Sequence, residues 1–161
     1  MSLVALVRRI GAGRRTAEPA PPRPVPDERG ALFGGSVQVR HVDAGSCNGC
    51  EIEVGAVFGP VYDAERYGAR LVASPRHADI VLVTGVVTHN MAEPLRRTVE
   101  ATPRPRLVLA VGDCARDCGA FREGYGVRGA VHDVVDVDLS VGGCPPRPEA
   151  IVAALREVTG R

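Results

Sequence analysis

DIVLVTG, residues 79–85, decides the fold. An apolar, mostly β-branched run this short, closed by glycine, reads as a strand buried on both faces, the pattern of a parallel sheet. RLVLAVG (106–112) repeats it, and ARLVAS (69–74) is a weaker version. SVQVRHVD (36–43) and VVDVDLS (134–140) alternate and read as further strands. Between them lie three helical patterns: CEIEVGAVF (50–58), NMAEPLRRTVEA (90–101, with Pro94 near its first turn) and RPEAIVAALREVTG (147–160). Strands alternating with helices predict an α/β fold of three layers, a mainly parallel sheet with helices on both faces. One connection is unusual. Only PRHAD separates the second and third strands, short for a parallel crossover, so a single helical turn serves there or one strand lies at an edge.

Residues 1–34 read as a tail and 35–161 as one domain. Leu3, Leu6, Val7 and Ile10 follow helical spacing beside Arg8 and Arg9, which allows a short amphipathic helix or a frayed terminus. AEPAPPRPVPDERG follows as a proline-rich linker. The apolar stretch is closed by arginines, the reverse of a secretory signal, and no apolar run follows Arg8-Arg9 as a twin-arginine signal requires. No run approaches membrane-spanning length. The expected location is the cytoplasm, where cysteines serve as metal ligands or redox groups more often than as disulfides. A net charge of +1 over 161 residues argues against a nucleic-acid partner bound by bulk charge. With 4% aromatics and no Trp, base-stacking platforms are also unsupported.

The chain has five cysteines. Cys47 and Cys50, in SCNGCEIE (46–53), follow the first strand. Cys114 follows the strand 106–112, in VGDCARDCGAF, and Cys144 follows the strand 134–140, in VGGCPP. In an open parallel sheet all strand C-terminal ends share one edge, where ligand sites form. Three βα loops therefore bring thiols to one rim. A zinc ribbon needs two C-x2-C knuckles, and only one is present. A thioredoxin-like dithiol fits C-x2-C but leaves Cys114 and Cys144 without a role. An iron–sulfur cluster takes four thiolates, and the surrounding glycines permit close backbone approach. Spacing therefore ranks the cluster above the other two.

CNGCEIE, YDAERYG (62–68), SPRHAD (74–79), VTGVVT (83–88), VGDCA (111–115) and GGCPPRP (142–148) occur in this order. Together they resemble the small iron–sulfur subunit of membrane-bound [NiFe] hydrogenases of the formate hydrogenlyase type. They are also similar to the PSST subunit of respiratory complex I. The resemblance spans about residues 36–158. It implies a flavodoxin-like fold and one [4Fe–4S] cluster on Cys47, Cys50, Cys114 and Cys144. It also implies electron transfer to or from a catalytic large subunit, with other iron–sulfur and membrane subunits as partners, peripheral on the cytoplasmic side of the membrane. On this reading the chain is an oxidoreductase subunit that is not catalytic alone. C-x2-C resembles the hydrogenase branch, whereas complex I members carry adjacent cysteines, which leaves a quinone-reducing NADH dehydrogenase of the complex I type as the alternative. A stand-alone C-x2-C dithiol oxidoreductase is the alternative of another class.

The resemblance also implies roles beside the cluster. Glu53 matches a glutamate near it, and Arg76 an arginine whose charge offsets it. Cys118 stands at a glycine position of the pattern and is expected to be a bystander. Glu51 reads as plain surface, and His77 as a surface-turn histidine at least as readily as a site residue. His41, His89 and His132 show no ligand spacing. No Walker or dinucleotide fingerprint is present, so no nucleotide or flavin site is expected.

Overall fold

The computed structural model describes residues 22–25 and 28–161, together with residue 4. The amphipathic spacing at Leu3–Ile10 lies outside these residues, apart from Val4. In chain order the elements are α1 (Glu28–Ala31), β1 (Val37–Asp43), α2 (Gly49–Val57), β2 (Ala69–Leu71), β3 (Ile80–Thr84), β4 (Val87–Thr88) and α3 (His89–Ala101). They continue with β5 (Leu107–Val111), α4 (Asp113–Asp117), β6 (Val127–Gly129), β7 (Leu139–Val141) and α5 (Pro148–Thr159).

The main sheet has five parallel strands in the order β2-β1-β3-β5-β7. Counting only its own strands, that order is 2-1-3-4-5, the flavodoxin-like arrangement. All five residues of β3 and of β5 are buried, as their apolar runs imply. Alternate residues serve opposite faces. Ile80 and Leu82 pack with Val54 and Val57 of α2 and with Ile151, Leu155 and Val158 of α5. Val81 and Val83 pack with Ala92, Leu95 and Val99 of α3. The three layers follow directly. Phe33, within the stretch assigned to the tail, packs against the first of these cores.

The short PRHAD connection holds a single 3-10 turn, Pro75–His77, started by Ser74, whose Oγ accepts from the Arg76 N–H. It suffices because β2 is an edge strand of three residues and the chain only has to step across β1. The strand expected over 134–140 begins instead at Leu139. A turn at Val131–Asp133 precedes it, and Val134, Val135 and Val137 pack on the second core without pairing. Their alternation comes from packing of an irregular segment. Asp138 fixes the register: its carboxylate accepts from the Val108 N–H at 2.8 Å, and its own N–H donates to Val108 O at 3.0 Å. A two-stranded antiparallel ribbon, β4 with β6, and the single-turn helix α4 have no counterpart in the sequence reading.

Candidate metal centre

Strand ends Asp43, Thr84, Val111 and Val141 lie side by side across the sheet. The cysteine loops leave from three of them. In the first loop the Asp43 carboxylate accepts from the N–H groups of Gly45 (2.9 Å) and Ser46 (2.8 Å). Burial works against that carboxylate, but these donors outweigh it and hold its pKa below the usual value. The Ala44 N–H donates to Thr84 O, and Ala44 O accepts from the Thr88 N–H, which ties the loop to β3 and β4. Asn48 then takes a left-handed conformation, φ 71°, and starts α2, so that Cys47 is left exposed and Cys50 is turned inward.

The second and third loops are bonded to each other. The Gly112 N–H donates to Val141 O (2.8 Å) and the Asp113 N–H to Gly143 O (2.9 Å). The Gly143 N–H returns a bond to Asp113 Oδ1 at 2.9 Å, and Arg116 pairs with the same oxygen at 3.1 Å. Cys114 is buried on α4, and Cys144 is exposed at the end of the Gly142–Gly143 turn. At Gly112 the first and second loops meet closely. Its φ of 94° and ψ of 156° belong to a region that is essentially glycine-only, and a Cβ there would stand 2.5 Å from Cys50 Sγ. The sulfur of the first loop thus lies against the backbone of the second.

The thiols also act on one another. Burial, then Glu51, then the sulfurs of Cys114, Cys47 and Cys144 push the Cys50 pKa up to about 12. Cys114 is pushed up by burial first, then by Cys144 and Cys47. Cys118 is raised by burial, and the charges acting on it are those of Arg122, Asp133 and Asp117. It is buried with Val86, Cys114 and Ala130, in a left-handed conformation at the end of α4. Cys47, Cys50, Cys114 and Cys144 therefore lie within reach of one another on one rim, and Cys118 is buried beside Cys114. Among the described residues no three His, Cys, Asp or Glu side chains converge on a point that fits a single ion.

The neighbouring charges differ from expectation. Glu51, read as plain surface, has a side chain only 15% exposed, and both carboxylate oxygens are buried without a hydrogen-bond partner. It lies on the turn that carries Cys50, so burial of the thiol takes the next residue inward. Glu53 is half-buried one step further along α2, where its charge reaches Tyr62. Arg76 is exposed, in the turn that enters the start of β3, whereas the cysteine loops leave the strand ends. His77 is exposed beside it. His41, assigned nothing, is half-buried with its Nε2 2.9 Å from Thr84 Oγ1 and 3.8 Å from Glu51 Oε1. Asp43 and Asp113, which hold the loops, were not singled out. Their signal was an acid at each strand end, one or two residues before glycine or cysteine.

Residues 47–158 match the model of the family described as NADH ubiquinone oxidoreductase, 20 kDa subunit. A probable membrane-bound hydrogenase subunit, mbhJ, of Pyrococcus furiosus is 50% identical over 121 residues, covering 75% of this chain and 72% of that protein. Formate hydrogenlyase subunit 7 of Escherichia coli is 46% identical, covering 71% of this chain and 45% of the longer relative. Among solved structures, a chain of the membrane-bound sulfane sulfur reductase, an archaeal respiratory membrane complex, superposes with a TM-score of 0.70 at 30% identity. That match covers 82% of this chain and 74% of the other. The chain belongs to the family of the 20 kDa subunit of NADH ubiquinone oxidoreductase.

Proposed function

We propose that this chain is an electron-transfer subunit that carries one [4Fe–4S] cluster on Cys47, Cys50, Cys114 and Cys144. It would exchange electrons with the catalytic large subunit of a membrane-bound hydrogenase complex of the formate hydrogenlyase type. The observation that carries the reading is the meeting of four thiols from three βα loops at one sheet edge. A single ion draws its thiolates within about 2.3 Å of itself. A cube places one thiolate on each of its iron atoms and so accepts a wider set. These four thiols, two of them buried, would repel one another as thiolates, which favours a cationic group that takes their protons away. When bound, the cluster supplies one-electron storage.

The chain's own residues hold and cover it. Asp43 and Asp113 fix the loops through backbone N–H groups, and Gly112 lets Cys50 approach. Exposed Cys47 and Cys144 leave the rim open, with Ile52 65% exposed on α2 and Phe121 and Tyr125 exposed beyond α4. A large subunit is the cover proposed here, through an obligate interface of roughly 2,000 Å² or more. No helix among the described residues is long and apolar enough to cross a membrane. Peripheral attachment on the cytoplasmic side through partner subunits, and no catalysis by the chain alone, belong to the same proposal. The dithiol alternative is disfavoured because it leaves Cys114 and Cys144, which meet the same thiols, without a role. C-x2-C and the hydrogenase relatives favour the hydrogenase reading over a quinone-reducing one.

The test is electron paramagnetic resonance of the complex purified anaerobically. A reduced-cluster signal in the wild type that is lost or altered in Cys114→Ala supports the assignment, and an unchanged signal in that variant contradicts it. Nickel in the co-purified large subunit separates the hydrogenase from the quinone-reducing alternative.

A further inference from the structure

We propose that the loop 119–126 is the anchor that seats the large subunit over the cysteine rim, with Tyr125 filling an apolar pocket of that subunit. This rests on the function proposed above and deepens it by naming the side chain that carries the docking. Tyr125 is 103% exposed, more than any other large apolar or aromatic side chain among the described residues, and Phe121 on the same loop is 44% exposed. One exposed aromatic needs no explanation by itself. This one is displayed by a loop that is bonded along its length. The Gly119 N–H donates to Asp117 Oδ1 at 3.0 Å, and the Arg122 guanidinium donates to Asp117 O at 2.7 Å. The N–H groups of Phe121, Gly124 and Val127 donate to the carbonyls of Cys118, Phe121 and Gly124. The His89 N–H donates to Gly126 O at 3.0 Å, which ties the far end of the loop to α3. A ring presented on such a frame has little freedom left to lose on docking.

The place of the loop selects its occupant. The chain leaves α4, which carries Cys114, through Cys118 (φ 69°) and Gly119 (φ 46°), both left-handed. A Cβ on Gly119 would stand 3.3 Å from Cys114 Sγ, so the loop begins against a proposed ligand. β6 then pairs with β4 and returns the chain to the fold. A subunit that shields exposed Cys47 and Cys144 comes up to Cys114, whose thiol interacts with both, and the loop continues the same surface. Burying a tyrosine ring removes about 150–250 Å² from water, the contribution of a typical interface anchor.

The experiment uses the complex of this chain with the large subunit, purified anaerobically and immobilised through the large subunit. Release of the chain on dilution is followed over time, since interface substitutions act mainly on the off-rate. Tyr125→Ala is expected to raise the off-rate about 30-fold, the factor that marks a strong anchor, with the cluster signal of the bound chain unchanged. Tyr125→Phe, which keeps the ring, and Val25→Ser should release at the wild-type rate. Val25 is the control because it is 91% exposed and lines a cavity with Leu139, at the start of β7 and away from the rim. Hydroxyl-radical footprinting of the wild-type complex gives a reading that needs no variant. Tyr125 should be shielded in the assembled complex and labelled once the complex is taken apart in urea. A wild-type off-rate in Tyr125→Ala, an equal rise in Val25→Ser, or equal labelling of Tyr125 in both states overturns the proposal alone. Shielding that needs a further subunit also overturns it and assigns the loop to that subunit. Failure of the wild-type chain to bind the large subunit overturns the partner assignment and the proposal with it.

Discussion

Gly112→Ala is the substitution that tests the packing of the rim most sharply. Two costs add. The first is backbone: φ 94° with ψ 156° is held by glycine at no penalty and costs an alanine about 1–3 kcal/mol. The second is steric: the new Cβ would stand 2.5 Å from Cys50 Sγ, and forcing a methyl into a filled site costs about 1–3 kcal/mol. Together they amount to about 2–6 kcal/mol. For a chain of this length each kcal/mol lowers Tm by about 2–4 °C, so the melt should fall by about 4–24 °C. The sulfur that must move is a proposed ligand, so iron content should fall as well. Gly126 is the control: a Cβ there meets nothing within 4 Å and its φ is not positive. The assay is thermal unfolding with iron analysis of both variants, expressed with their partner subunits. A Gly112→Ala protein with the iron content and melting temperature of Gly126→Ala would refute the reasoning.

Four further outcomes are expected. Cys118→Ser should keep full iron content, since the charges acting on its thiol are those of Arg122, Asp133 and Asp117 rather than the other cysteines, and loss of the cluster in that variant alone would reverse the roles of Cys118 and Cys114. Asp113→Ala removes the acceptor for the Gly143 N–H and the partner of Arg116. It should cost about 1–2 kcal/mol in denaturant unfolding and loosen the Cys144 loop, seen as faster hydrogen exchange at Gly143. Leu155→Ala, 1% exposed between α5 and the sheet, should cost about 2–5 kcal/mol by the same unfolding measurement with no change in the cluster spectrum. Stability should also fall in mild acid. His41 has its pKa lowered in the fold, so the unfolded chain binds the proton more readily. Its contribution is therefore complete above about pH 6.5 and is lost as pH falls through the folded value. Melting curves at about pH 8 and about pH 5 should show the loss, reduced in His41→Gln.

The sheet was legible wherever burial wrote itself into composition. Ile80–Thr84 and Leu107–Val111 are buried on both faces and could be read without context. The convergence of Cys47, Cys50, Cys114 and Cys144 was legible for a topological reason, since parallel strands end on one edge whatever their order. Local alternation was less dependable. Residues 134–138 alternate because Val134, Val135 and Val137 pack from an irregular segment, and periodicity alone does not separate that from pairing. β4 and β6 are held by a contact about forty residues apart in sequence, and their two and three residues are too few to show a period. Side-chain environments were least legible. Glu51 and Glu53 are two residues apart on one short helix, and only three-dimensional placement shows that Glu51 turns inward toward His41. Arg76 was placed by resemblance, whereas its turn enters the opposite end of β3 from the cysteine rim.

The central claim is one cube on four thiols, and Mössbauer spectroscopy of the iron-57-labelled complex, with iron and acid-labile sulfide counted per chain, tests it most directly. The contribution of this chain is isolated by subtracting the Cys144→Ala complex from the wild type. The account predicts a difference of about four iron and four sulfide with the spectrum of a [4Fe–4S] cluster. A variant that keeps the full [4Fe–4S] spectrum of the wild type, or a wild-type contribution with the spectrum of a mononuclear or two-iron site, would contradict it.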